Sequence, residues 1–221
     1  MAINLVKGQK IDLRKKTGES LLNFCVGANW GAIESSGFLG FGKNHKEVDL
    51  DLSAILVGPS GLVDHIYSPL YRPDLLAQFG LAPGKLVVSG GALRHSGDDR
   101  AGDVGGDDGL DNEVITVDLS AVSSSVTQIF FFLNNCGQED FSQIPYAKIR
   151  MFEGTPTHVR DVFASYNVSA ESKYSGRRAL ILGKLYRSGA GEWKFAAIGD
   201  PSPDVFVGQT IVRIMQNYIN S

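Results

Sequence analysis

The chain has 221 residues, 43% hydrophobic and 20% charged, the balance of an ordinary globular protein with length enough to bury a core. Its net charge of −3 and pI near 5.8 exclude a general nucleic-acid binder, which needs a basic face. No apolar run approaches the roughly 18 residues of a membrane span, and the N-terminal MAINLVKGQKIDL lacks the long apolar region of a signal peptide. Cys25 and Cys136 lie far apart in apolar surroundings. Two buried thiols in a reducing cytoplasm are expected rather than a disulfide, and without a CxxC pair no structural zinc site is expected.

Taken in chain order, short β-rich runs predict strands over residues 22–28, 48–57, 85–88, 113–119, 126–134, 147–153, 178–186 and 193–198. Gly, Pro, Asn, Asp and Ser turns separate them. Residues 35–44 and 165–176 read as flexible loops. A short helix is predicted from Pro73 through Phe79, ending at Gly80. A clearer one begins near Ser202 and Pro203, with Ser as cap and Pro at the first helical position. Its Val207, Ile211, Ile214, Met215 and Tyr218 recur at helical spacing, a stripe for core packing. Many short strands without regular intervening helices predict one domain over 1–221. Its expected fold is an all-β antiparallel β-sandwich with a C-terminal α-helix and acidic metal-binding loops.

The most charged stretch is 98–113, DDRAGDVGGDDGLDNE. It holds Asp98, Asp99, Asp103, Asp107, Asp108, Asp111 and Glu113 with one Arg and four glycines. Its net charge is −6, leaving about +3 on the remainder. Such a knot of carboxylates repels itself unless water, basic side chains or a cation compensates it. The glycines permit sharp turns that aim several oxygens at one centre. Hard oxygen donors in that setting suit Ca²⁺. A second acidic element, VDLDLS at 48–53, places Asp49, Asp51 and Ser53 on one strand face and Val48, Leu50 and Leu52 on the other. Same-face carboxylates about 6.5–7 Å apart can converge on one ion. A solvated loop and a solvated strand face are the competing readings. The EF-hand spacing is absent, and the calcium β-roll would need several repeats. His95, the one nearby imidazole, reads as a structural hydrogen-bonding residue at a strand end.

The pattern HSGD…G…GD…EVIxVDL, preceded some forty residues earlier by DLDxS, resembles the TerD-type tellurite-resistance and stress-protein family. The likeness takes in VGANW (26–30), VDLDLSAILVGPSGLV (48–63), the acidic loop, 128–134, 141–152, GKLYRSGAGEWKFAAIG (183–199) and the terminal helix. It implies a β-sandwich with one or two Ca²⁺ ions at acidic loops, a link to tellurium and chemical stress, and no established catalysis. The family's GDNxTG falls on Asp98, Asp99 and Gly102, with Asp99 where Asn is usual and Ala101 where Thr is usual. Its next Glu falls on Asp103. Its GDGDDE falls on Gly106, Asp107, Gly109, Asp111, Asn112 and Glu113, with extra residues that include Val104, Asp108 and Leu110. Its DLD pair falls on Asp49 and Asp51. The acidic residue that often follows the family's Gly-Trp is missing, because Gly31 follows Trp30. Residues 57–83 are longer than the usual family segment and offer a partner surface.

GFLGFGKN at 37–44 misses the P-loop pattern by its last residue, Asn44, and reads as a hairpin loop. Without GxSxG or HExxH, no hydrolase or metalloprotease is expected. Phe130–132 read as a buried strand, and Lys173, Arg177 and Arg178 as a solvated turn. The leading expectation is a cytoplasmic calcium-binding stress-response module, not an enzyme, acting through other stress-resistance proteins or itself. Peripheral association with a membrane complex stays open. The alternatives are a scaffold or oligomerisation domain whose acidic loop is a partner surface, and a metal-dependent enzyme acting on a small phosphate or other ligand.

Overall fold

A computed structural model describes residues 3–14, 18–36, 43–169, 171–189 and 191–220. Its first strands are β1 (Ile3–Asn4), β2 (Lys10–Asp12), β3 (Asn23–Trp30), β4 (Ile33–Ser36), β5 (Lys43–Lys46), β6 (Leu50–Gly58) and β7 (Gly61–Ile66). Helix α1 (Pro73–Gln78) follows, then β8 (Leu93–His95), β9 (Glu113–Asp118), β10 (Gln128–Asn135) and β11 (Tyr146–Thr155). Next come β12 (His158–Ser169), β13 (Ala179–Arg187), β14 (Trp193–Ser202) and α2 (Val207–Asn217). One sheet runs β1-β12-β11-β3-β9-β8 and the other β2-β14-β13-β10-β6-β7, with β4 and β5 a separate hairpin. The ladders are antiparallel except β1 with β12, so the expected sandwich with a C-terminal helix is what forms.

The main core lies between the sheets and gathers Phe24, Val26 and Trp30 of β3, Leu50, Leu52, Ala54 and Leu56 of β6, and Phe131 of β10. A second cluster covers the outer face of the β6–β10–β13 sheet. There Ile55, Val57, Phe130 and Phe132 pack with Leu76 of α1 and Val207, Ile211 and Ile214 of α2. This accounts for the Phe130–132 run: Phe131 faces the partner sheet, and Phe130 and Phe132 face the helix. It also changes the reading of β6. Asp51 and Ser53 do share a face opposite Leu50 and Leu52, but that face is covered, and Asp51 is only 5% exposed.

Five sequence expectations shift. Residues 85–88 form isolated bridges (Tyr67 with Lys85, Val87 with Arg94), not a strand. Gly90 and Gly91, at φ +80° and +74°, fold the run back before a ladder can extend. Residues 165–169 complete β12, and a turn of 3₁₀ helix covers Ser172–Tyr174. Bulges opposite Met151/Phe152 and Glu153/Gly154 break the alternation that would have marked β12. Residues 35–36 and 43–44 lie in β4 and β5, whereas 37–42, and with them most of GFLGFGKN, fall outside the described residues. The last helix starts at Val207 because Ser202 still pairs with Ala179 in β14. Its first turn is capped by Gln209 Oε1, which accepts from Val205 N (2.9 Å) and Phe206 N (3.1 Å). Both cysteines are free, Cys25 buried but Cys136 exposed.

Asp204 joins the β14–α2 turn to the helix. Its carboxylate accepts from Arg213 Nε and Nη2, each at 2.7 Å, and from Ser202 Oγ at 2.7 Å. Although burial opposes ionisation, Arg213 and Ser202 hold its pKa below the ordinary carboxylate value. The resulting stability is present above the unfolded carboxylate pKa and is lost as pH falls through the folded one. Asp204→Asn is expected to cost about 2 kcal/mol near neutral pH by denaturant melts, with the gap to the unsubstituted protein closing in acid.

Candidate metal centre

The acidic loop is seated on the end of β3. Trp30 is fully buried, and its Nε1 donates to Val48 O at 2.7 Å, holding the chain as it enters β6. Val48 N in turn donates to Ala101 O (3.0 Å), Asp103 N to Trp30 O (2.9 Å), and Ala32 N to Asp103 O (2.9 Å). Gly102 sits at φ +71° with the position of a Cβ 2.6 Å from Trp30 Cδ1, so any side chain there would lift the loop from the indole. Asp99 Oδ1 closes the turn by accepting from Ala101 N (2.9 Å) and Gly102 N (3.1 Å). VGANW, VDLDLS and the GDDRAG segment therefore meet at one end of the sandwich.

An inner cluster forms there. One oxygen each from Asp51, Asp98 and Glu113 lie within 4.8 Å of one another. Glu113, of β9, is 0% exposed. Its Oε2 crosses to the other sheet to accept from Leu52 N at 2.6 Å, and its Oε1 accepts from Asp99 N at 3.1 Å. Gly97 N donates to His95 Nδ1 (3.1 Å), which leaves Nε2–H to face Glu113 Oε2 at 3.3 Å. Both ring nitrogens are thereby engaged, and His95 at the end of β8 is the structural residue expected. Burial, with Glu113 beside it, pushes Asp51 up to about 8. Burial and Asp98 push Asp49 up to about 6. Burial also raises Glu113, against the pull of His95. Among the described residues Asp49 Oδ1 is buried without a hydrogen-bond partner, while Oδ2 lies 3.8 Å from Arg100 Nε. Next to this cluster, Cys136 Sγ donates to Asp51 Oδ2 (2.9 Å) and touches Tyr71 OH (3.2 Å).

The outer half of the loop is compensated differently. Asp103, Asp107 and Asp108 offer oxygens within 4.8 Å of one another. Asp103 accepts from Tyr146 OH (2.9 Å), Asn112 Nδ2 (2.9 Å) and Asn29 Nδ2 (3.2 Å). Lys148 Nζ is ion-paired with Asp107, and that hydrogen bond holds the carboxyl below its usual range. Asp111, with a side chain 1% exposed, receives Arg150 Nε at 2.9 and 3.0 Å on its two oxygens. Burial nevertheless lifts Asp111 to about 6. A Cβ on Gly27 would overlap the Asp111 carboxylate, so the glycine of VGANW makes the room for it. Asn112 Oδ1 accepts from Trp30 N at 2.8 Å.

The eleven residues expected as ligands thus separate. Asp51, Asp98 and Glu113 converge with Asp49 beside them, and Asp103, Asp107 and Asp108 form a second group. Asp99 and Gly102 shape the turn, Asp111 is paired with Arg150, and Asn112 is spent on Trp30 and Asp103. Sequence reading missed Arg100, Lys148, Arg150, Tyr146, Tyr71 and Cys136. Lys148 and Arg150 alternate along β11 opposite the acid-rich loop, a charge pattern that could have been found. Tyr71 and Cys136 left no such signal, since only the fold brings them to Asp51.

The inner cluster fits a hard divalent cation. Its donors are all oxygens, two of its carboxylates are buried with raised pKa values, and an adjacent carboxylate oxygen stands unpartnered. The outer cluster already has a lysine in place.

The chain matches the TerD domain over residues 1–208. It is 34% identical over 223 residues to stress response protein SCP2 of Bacillus subtilis (strain 168), with 96% of this chain and 99% of that protein covered. It is 32% identical over 204 residues to tellurium resistance protein TerD of Serratia marcescens, covering 90% of each. A solved structure of a homologue of telluride resistance protein (TerD) from Streptomyces coelicolor A3(2) shares the fold. Its TM-score is 0.55 at 16% identity, with 82% of this chain and 90% of that one covered. The chain belongs to the TerD domain family, whose members here are tellurium resistance and stress response proteins.

Proposed function

We propose that this protein is a non-catalytic, calcium-binding stress-response module in which Ca²⁺ fixes the acidic loop and the surface it presents to other stress-resistance proteins or to a second copy. The observation that carries this reading is the convergence of Asp51, Asp98 and Glu113, largely dehydrated, from β6, the loop and β9. Asp51, Asp98 and Glu113 hold the principal ion, with Asp49 able to turn its unpartnered oxygen toward it. Ca²⁺ supplies the positive charge that lets these carboxylates stay ionised together at neutral pH. Asp103, Asp107 and Asp108 accept a second, weaker ion only when Lys148 leaves. The free thiols of Cys25 and Cys136 suit a cytoplasmic setting. No described helix is long and apolar enough to cross a membrane.

Calorimetry is expected to show Ca²⁺ binding, with a stabilisation of about 2.7 kcal/mol at a hundredfold excess over Kd, roughly a 5–10 °C rise in Tm. Asp51→Asn is expected to abolish the principal site and that rise. No heat of binding and no rise in Tm in the unsubstituted protein would sink the reading.

The pH dependence has a definite sign. Asp49 and Asp51 have raised pKa values in the folded state, at about 6 and about 8. Without the cation, stability is therefore lost as pH rises from the ordinary carboxylate range through these values. Ca²⁺ competes with those protons. The Ca²⁺-induced rise in Tm is expected to be larger at about pH 8 than at about pH 5. A rise independent of pH would show that Asp49 and Asp51 are not involved.

Removing the outer latch separates the two halves of the loop. Arg150→Ala is expected to leave Asp111 buried and unpaired, to cost about 3 kcal/mol, and to speed amide exchange over 107–111. Calorimetry on the same variant should show the principal Ca²⁺ affinity within about threefold.

A further inference from the structure

Asp49, Asp51 and Asp98 line a cavity of about 490 Å³. Ser68, Leu70, Tyr71, Arg72 and Leu75, from the end of β7 into α1, form one wall of it, and Val205 and Phe206 ahead of α2 contribute another. Arg100 of the acidic loop and Arg72 both reach it with side chains about 70% exposed. The lining combines three kinds of chemistry: the carboxylates, of which Asp51 is buried, the exposed guanidinium groups, and apolar surface from Leu70, Leu75, Val205 and Phe206. Arg72 is engaged by Asp74, its Nε donating to Oδ1 at 3.1 Å, whereas among the described residues Arg100 makes the long 3.8 Å approach to Asp49.

Bare carboxylates in this cavity repel any anion. A divalent cation at Asp51, Asp98 and Glu113 reverses that. Ca²⁺ takes about six to eight oxygens, more than three carboxylates supply in most modes. The inward side of Glu113 is closed by Leu52 N–H, Asp99 N–H and His95. Asp51 and Asp98 face the cavity, so the remaining donors must come from that side. A phosphate has oxygens enough to meet an ion and a guanidinium at once.

We propose that this cavity is a Ca²⁺-dependent site for a phosphate-bearing organic ligand, its phosphate held between the ion and Arg100 and its organic part laid along Leu70, Leu75, Val205 and Phe206. The proposal rests on the calcium reading above. The phosphate is that of a soluble monoester or of a lipid headgroup, two sources with the same chemistry at the ion.

The test uses the full chain. Phenyl phosphate is titrated by calorimetry in millimolar Ca²⁺ and in chelator, and phosphatidylcholine vesicles with and without phosphatidic acid are co-sedimented under the same two conditions. Ca²⁺ is expected to tighten binding of one of these phosphate probes at least about tenfold. Binding of phenyl phosphate assigns a soluble ligand; binding of phosphatidic acid vesicles alone assigns a headgroup. Arg100→Ala, with folding checked by its melting curve, is expected to weaken the phosphate probe about tenfold while Ca²⁺ binds as tightly or more tightly, since a cation next to Asp49 has gone. Ca²⁺ binding without either phosphate probe overturns this inference and leaves the calcium reading intact. Absence of Ca²⁺ binding removes both. Equal phosphate binding in chelator, or an Arg100→Ala variant with undiminished phosphate affinity, also overturns it.

Discussion

Glu113 is the side chain on which both sheets and the acidic loop depend. It starts on β9, in one sheet, and its carboxylate is satisfied by the backbone of β6, in the other. The second oxygen holds the start of the loop through Asp99 N. A carboxylate with no exposed surface is costly unless its lone pairs are met, and here two backbone N–H groups and His95 meet them. The cost reappears next door. Asp51 is drawn into the same dehydrated corner, where Glu113 and Asp98 disfavour its charge. The sandwich closes this end only by concentrating negative charge, and the proposed Ca²⁺ would resolve the conflict between closure and repulsion.

The two halves of the loop solve the same electrostatic problem by different means. At Asp107 and Asp111 the chain supplies its own cations, Lys148 and Arg150, from β11. At Asp51, Asp98 and Glu113 no lysine or arginine arrives among the described residues, and Arg100 stays at the long side of an ion pair with Asp49. One half is a latch closed by the chain's own cations, and the other is where the proposed Ca²⁺ would supply the missing charge. Since Val48, Trp30 and Gly102 tie the loop to β3 and β6, an ion bound at the inner cluster, as proposed, would be coupled to the packing of this end of the sandwich. The β7–α1 segment, which the family resemblance marks as enlarged, lines the adjoining cavity.

Much of the sandwich was legible because alternation of apolar residues reports directly on burial between sheets. It failed where bulges reset the alternation in β12 and where strands of two to four residues, β1, β2, β4, β5 and β8, are too short to carry a period. The acidic segments were legible as a cluster because charge, glycine and spacing marked them, and the fold brings Asp51, Asp98 and Glu113 together. The division of labour within them was not. Asp111 looks like its neighbours in sequence, yet Gly27 and Arg150 bury and pair it. Asp51 looked like half of a surface pair, yet it is 5% exposed and meets Cys136, with Tyr71 beside that thiol. Both outcomes depend on partners distant in the chain, which local pattern does not encode.

A crystal structure grown with Ca²⁺ and read for its coordination sphere tests the calcium reading. Oxygens of Asp51, Asp98 and Glu113 are expected at about 2.3–2.6 Å from an ion, with Arg150 still on Asp111. An ion bound only elsewhere, or an ion-free cluster in which Arg100 has moved in to neutralise Asp51 and Asp98, would contradict it.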